Sequence, residues 1–126
     1  NRPLSVCVLK VADRPALAAM RKGGWIDRAI PQLGSMIGRL VRVEDTAARL
    51  APEVFALALP ATTLAAARTA GERIAAVIGC TAFDAGEGQP PFVMEFDIGV
   101  AQIEAGETPA RALERAAASA LQRKAG

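Results

Sequence analysis

The chain has 126 residues, 52% of them apolar, enough for one compact domain with a core of its own. Its formal net charge of +2 is too small to argue for nucleic-acid or membrane binding through bulk electrostatics, so basic side chains matter only where they cluster. The absence of histidine removes the commonest general base, the Ser-His and Cys-His nucleophile pairs, and most zinc sites.

Leu4 to Val11 is rich in Val and Leu with no breaker, and reads as a strand buried on both faces. Pro15 can open a short helix through Leu17 and Met20 that stops at Gly23-Gly24. The next helix sets Ile26, Ile30, Leu33, Ile37 and Leu40 on one face, with Pro31 inside the pattern as a kink or a delay. Strands at about Thr46 to Leu50 and Val54 to Leu59 flank Ala51-Pro52-Glu53, a spacing short enough for a hairpin. Thr62 or Thr63 caps a helix with Leu64, Ala67, Gly71, Ile74 and Ile78 on one face. Cys80 to Phe83 reads as a short strand, Asp84 to Pro91 as a loop, and Phe92 to Ala101 as a long strand. Thr108-Pro109 opens the last helix in the favoured cap-then-proline order. The expected order is βααββαββα, an α+β fold with an antiparallel-rich sheet covered by helices. No apolar run approaches the roughly 20 residues of a membrane span, and Pro3 and Lys10 break the only candidate for a signal peptide. Cys7 and Cys80 form no CxxC and read as buried core thiols of a reducing, cytoplasmic protein. A strand so close to Asn1 suggests the C-terminal domain of a longer chain.

Arg49-Leu-Ala-Pro-Glu-Val-Phe-Ala-Leu-Ala-Leu-Pro60 resembles the hairpin of the GGDEF family of diguanylate cyclases, where the pattern is R-x-G-G-[DE]-E-F followed by an apolar strand and a proline. Ala70-Gly-Glu-Arg-Ile74 is similar to the A-E-R-I of the family's following helix, and Asp97-Ile-Gly-Val-Ala101 to its S-I-G-V-A strand. Ala116 to Gly126 resembles its closing helix. The matches keep the family's order and spacing from Leu4 to Gly126. The resemblance implies one degenerate GGDEF domain over residues 1–126 with a ferredoxin-like, nucleotide-cyclase palm fold. The family's usual N-terminal helix would lie upstream of the first strand.

Active members hold magnesium with two carboxylates, and the metal ions clamp the triphosphate and activate the attacking hydroxyl. One of those positions falls here on Lys10, whose ammonium repels a cation and cannot ligate it. The other falls on Glu53, and a lone carboxylate is a poor magnesium site. The paired glycines that let phosphates approach the backbone are Ala51 and Pro52, and Pro52 has no N–H to donate. The motif's fourth position, normally acidic, is Val54; the guanine-reading Asn and Asp fall on Ala18 and Asp27; the closing helix's lysine falls on Ala125, beside Lys124. The expectation is a protein without cyclase activity, catalytic residues or magnesium.

Just before the hairpin, Arg42-Val-Glu-Asp45 matches the family's RxxD inhibitory-site motif at the required offset from Ala51, and Arg73 falls on its helix-borne arginine. The resemblance therefore implies a cyclic di-GMP site made of Arg42, Asp45 and Arg73. An arginine fork suits phosphate oxygens or the guanine O6/N7 edge, and a carboxylate suits the guanine N1–H and amine. In the family this site takes an intercalated ligand dimer that bridges domains, which allows a homodimer. Retained RxxD, lost GGDEF residues and alanine-rich composition are similar to effectors with receiver domains upstream. That likeness implies a cytoplasmic protein recruited to a cell pole, with a protein partner such as a protease adaptor. The alternatives are a ligand-free docking or dimerisation module, in which Arg42 and Arg73 are dispensable, and a weak GTP-binding domain.

Overall fold

Strand β1 spans Leu4–Val11, and its alternation decides the architecture. Cys7, Leu9 and Val11 point into one apolar cluster while Val6 and Val8 point into another, so both faces of the strand are buried. The computed structural model describes residues 2–12, 24–83, 88 and 90–125. After β1 come α1 (Trp25–Leu40), β2 (Thr46–Ala51), β3 (Val54–Pro60), α2 (Leu64–Gly79), β4 (Phe96–Gln102) and α3 (Pro109–Ala125). The four strands form one sheet in the order β2-β3-β1-β4, with every neighbouring pair antiparallel. The β1–α1–β2 crossover steps over β3, and the β3–α2–β4 crossover steps over β1. These interlocked crossovers make the nucleotide-cyclase palm, an α+β fold with α1 and α2 on one face and α3 on the other.

The helical stripes account for most of the larger core. Leu33 and Ile37 of α1 and Ala67, Ile74 and Ile78 of α2 are fully buried against Leu9, Leu57 and Leu59. Pro31 does lie within α1, on its exposed side, where it lacks the N–H that would close one helical hydrogen bond. Thr63 caps α2, its hydroxyl accepting from Ala66 N at 3.2 Å. Leu64, expected on the buried stripe, is 45% exposed, because it stands in the first turn beyond the edge of the sheet. The Thr108 hydroxyl accepts from Arg111 N at 3.2 Å to open α3. Arg115 of α3 donates to both Glu107 oxygens at 2.7 Å and to the Gln102 carbonyl at 2.8 Å. That pair holds the Glu107 carboxyl well below its usual range, at about 2, so the tie between α3 and the end of β4 persists into acid.

Two expectations need correction, and two fall wholly or partly outside the described residues. The short strand at Cys80 to Phe83 is only a single bridge, Phe83 to Phe92, because Cys80 and Thr81 still donate back to Val77 and Ile78 as α2 unwinds. β4 begins at Phe96, not Phe92, since Val11–Phe96 is the last pair that β1 offers. The expected helix at Pro15 to Met20 lies outside the described residues, as does part of the Asp84 to Pro91 loop.

The cysteines divide. Cys7 is fully buried in β1, and burial pushes its thiol up to about 12. Cys80 is exposed, against expectation, because it follows the last turn of α2 and points away from the Ile74–Ile78 stripe. A thiol reagent at pH 8 should therefore label one cysteine in the folded chain and both in denaturant. Prompt labelling of two would contradict this burial.

Candidate functional site

Helix α1 ends at Val41, whose extended backbone still donates to the Ile37 carbonyl. The next four residues, Arg42 to Asp45, make a tight turn that closes itself. Asp45 N donates to the Arg42 carbonyl at 3.0 Å, and Arg42 N donates back to Asp45 Oδ2 at 2.9 Å. Such reciprocal bonding is the habit of an Asp in a turn. It leaves Val43 wholly exposed at the tip and the Asp45 side chain only 4% exposed.

The Arg42 guanidinium is used on both sides of this turn. Its Nε donates to Asp45 Oδ2 at 3.3 Å and lies 3.1 Å from Glu44 Oε1. One terminal nitrogen reaches Asp45 Oδ1 at 3.3 Å, the Thr62 hydroxyl at 2.7 Å and the Pro60 carbonyl at 3.2 Å. Hydrogen bonding to Asp45, foremost, holds the guanidinium proton more firmly than usual. Thr62 is thus a site residue that the sequence offered only as a possible helix cap. It is fixed from behind, its carbonyl accepting from Ser5 Oγ at 2.6 Å and its N–H donating to the Pro3 carbonyl.

Arg42, Asp45 and Arg73, chosen from sequence, line one pocket of about 460 Å³. Leu40, Leu59 and Ile74 give it an apolar floor. Ala66, Thr69 and Ala70 of α2 form a low wall that keeps it open. Arg73 stands exposed on that helix and makes no hydrogen bond or ion pair with the described residues. The pocket therefore combines a flat apolar surface, one committed guanidinium, one uncommitted guanidinium and a nearly buried carboxylate. A planar base with an attached phosphate matches that set.

The other end of the sheet is built differently. Lys10, near the end of β1, pairs with Val54 on one side and Asp97 on the other. Pro52 and Glu53 form the two-residue turn of the hairpin, closed by the Ala51–Val54 pair. The Glu53 carbonyl accepts from Val11 N. Asp97 Oδ2 is buried with no hydrogen-bond partner among the described residues, a feature that the sequence did not flag. Among the described residues no cluster of three or more His, Cys, Asp or Glu could hold a metal ion. The side chains of Trp25, Asp27 and Lys124, and residue Ala18 altogether, lie outside the described residues.

The family model described as "Diguanylate cyclase, GGDEF domain" matches residues 25–125. The chain belongs to the GGDEF domain family. Its structure is similar to the GGDEF domain of FimX from Pseudomonas aeruginosa, at 23% identity and a TM-score of 0.81, covering 98% of this chain and 76% of that one. It is similar to the diguanylate cyclase SiaD, solved with its activator SiaC from Pseudomonas aeruginosa, at 24% identity and a TM-score of 0.83. There the overlap covers 98% of this chain but 46% of the SiaD chain. The GGDEF domain of DgcB from Caulobacter crescentus, solved in complex with cyclic di-GMP, is 22% identical, with a TM-score of 0.79 and coverage of 98% and 73%. At these identities the likeness concerns the fold. No curated protein matches the chain in sequence. Among the described residues no helix is long and apolar enough to cross a membrane.

Proposed function

We propose that this GGDEF domain is a cyclic di-GMP receptor that makes no cyclic di-GMP itself. The observation that carries the reading is the convergence of Arg42, Asp45 and Arg73 on one open, apolar-floored pocket. Two guanidinium groups answer the ligand's phosphodiesters or guanine O6/N7 edges, and Asp45 accepts from N1–H and the exocyclic amine. The DgcB domain, solved with the same nucleotide, supplies a precedent on this fold.

The donor set at the hairpin does not fit magnesium. Lys10 brings a cation where a ligand carboxylate is needed, Val54 brings a methyl-bearing side chain, and Pro52 removes a backbone N–H from the phosphate cradle. Signalling then passes through protein contacts, because a ligand that binds one conformational or docking state better shifts the population toward it. In its retained RxxD and altered hairpin the chain resembles the effector PopA. That likeness is the support for reading it as a cytoplasmic protein recruited to a cell pole, with receiver domains and a partner such as a protease adaptor. An intercalated ligand dimer could also join two copies. SiaD, solved with its activator SiaC, is a precedent for a protein partner in the family.

The second reading, a ligand-free docking module, has an observation of its own. Arg42 is already engaged by Asp45, Glu44, Thr62 and Pro60, as a purely structural arginine would be. Calorimetric titration with cyclic di-GMP separates the two. Micromolar or tighter binding, lost in Arg42→Ala, together with no product from GTP and magnesium, is the expected result. No heat from the wild-type chain at about 1 mM ligand, where even a binding free energy of about 4 kcal/mol would register, would leave the docking module.

A further inference from the structure

Arg42 is held by two elements at once, and Thr62 belongs to the second of them. Within its own turn the guanidinium meets Asp45 through Nε and one terminal nitrogen. That same nitrogen leaves the turn to reach the Thr62 hydroxyl at 2.7 Å and the Pro60 carbonyl at 3.2 Å, at the junction between β3 and α2. The direction of the Thr62 contact follows from proton count. Thr62 has one hydroxyl proton and gives it to the Pro60 carbonyl at 2.9 Å, so toward Arg42 it only accepts. Every contact of the guanidinium uses Nε or this one terminal nitrogen; the other terminal nitrogen has no partner among the described residues. Thr62 is itself pinned. It is 6% exposed, its carbonyl accepts from Ser5 Oγ at 2.6 Å, and its N–H donates to the Pro3 carbonyl at 3.1 Å.

We propose that Thr62 is a positioning residue of the cyclic di-GMP site: it fixes the Arg42 fork, with one terminal nitrogen left for the ligand, at a set distance from the α2 wall. The proposal rests on the receptor reading given above. Bonds to Asp45 alone would let the fork travel with its own turn, since the two residues stand only three apart. Thr62 instead precedes the Thr63 cap of α2 by one residue. Ala66, Ala70 and Arg73 then follow along one side of that helix, at four- and three-residue spacing, and line the same pocket. The hydroxyl thus ties the Arg42 fork to the rigid element that carries Arg73, and the two guanidinium groups meet a ligand from a fixed frame. Such preorganisation raises affinity, because a long side chain is already ordered before the ligand arrives.

The test is titration of the chain with cyclic di-GMP for the wild type, Thr62→Val and Thr62→Ser, with the melting temperature of each free chain beside it. Valine keeps the branched shape and loses the hydroxyl; serine keeps the hydroxyl. Thr62→Val should bind about tenfold more weakly, as loss of one bond to a charged group implies, and Thr62→Ser should bind as the wild type does. NMR of the free chain should show the Arg42 guanidinium rotating faster about its Nε–Cζ bond in Thr62→Val, and as slowly as in the wild type in Thr62→Ser. A Thr62→Val chain that melts lower but binds equally well makes Thr62 a structural contact only and overturns the proposal. A loss of affinity that serine does not restore also overturns it, because the hydroxyl is then not the cause. The receptor reading survives both results. A wild type that does not bind overturns both the positioning role and that reading.

Discussion

Gly99→Val should leave the domain unfolded at room temperature, and Gly99→Ala should lower its stability by several kcal/mol. Gly99 lies in β4 opposite Val8, where α3 rests directly on the strand. A Cβ at Gly99 would stand 1.7 Å from the Ala116 carbonyl oxygen and 2.7 Å from Ala120 N. Both are backbone atoms of a helix, and neither can rotate aside as a side chain would. Relief requires lifting α3, which uncovers Val6, Val8, Ala101, Ala112 and Ala116, the whole of the second apolar cluster. Overpacking against side chains costs about 1–3 kcal/mol; backbone contact plus loss of this cluster should exceed that, against a total stability of about 5–15 kcal/mol for a domain. Gly34 is the internal control. It lies in α1 with nothing within 4 Å of its would-be Cβ, so Gly34→Ala should stabilise by about 0.5–1 kcal/mol. Circular dichroism of Gly99→Val and urea midpoints for the two alanine variants decide the matter. A Gly99→Ala midpoint equal to wild type would mean that α3 does not pack as described.

The same contrast shows what the sequence could and could not say. β1 was legible because an unbroken Val/Leu run has one economical use, a strand buried on both faces. The α1 stripe was legible because Leu33 and Ile37 keep helical spacing. Periodicity failed where the sheet runs out. Leu64 fits the α2 stripe but overhangs the edge, and Cys80 to Phe83 has apolar composition but no strand to pair with. The close contact at Gly99 could not be foreseen from a lone glycine in a strand, since it depends on the alanines of α3, more than a dozen positions away. At the candidate site, the offset of Arg42 and Asp45 from the hairpin and the helical position of Arg73 sufficed to choose three residues that line one pocket. Their partners were hidden. Thr62 and Pro60 reach Arg42 only because β3 turns into α2 beside the end of α1, a tertiary coincidence with no local signal. Glu44, one residue from Asp45, passed as an unremarked position of the motif.

Arg73→Ala should cost ligand without costing stability, whereas Arg42→Ala should cost both. Arg73 is exposed and has no polar partner among the described residues, so its truncation removes nothing that holds the free domain together. Bound to ligand, it would form charge-assisted bonds worth about 1.5–3 kcal/mol each, and its loss should weaken cyclic di-GMP binding by roughly ten- to a hundredfold. Arg42 is different because Asp45 depends on it. The Asp45 side chain is 4% exposed and receives its charge-assisted bonds from that guanidinium, at 3.3 Å to each oxygen. Without Arg42 a nearly buried carboxylate keeps only the backbone N–H of residue 42, and an uncompensated charge in that position is destabilising. The double variant Arg42→Ala/Asp45→Ala removes the stranded charge, so it should regain part of the melting temperature while still failing to bind. That recovery is a coupling between two residues in contact, which a double-mutant cycle measures directly. Equal melting temperatures for the single and double variants would show that losing Arg42 strands no charge at Asp45, and a wild-type melting temperature for Arg42→Ala would show that Arg42 contributes nothing to the free domain. Equal ligand affinity for wild type and Arg73→Ala would remove the α2 wall from the site and confine recognition to the turn.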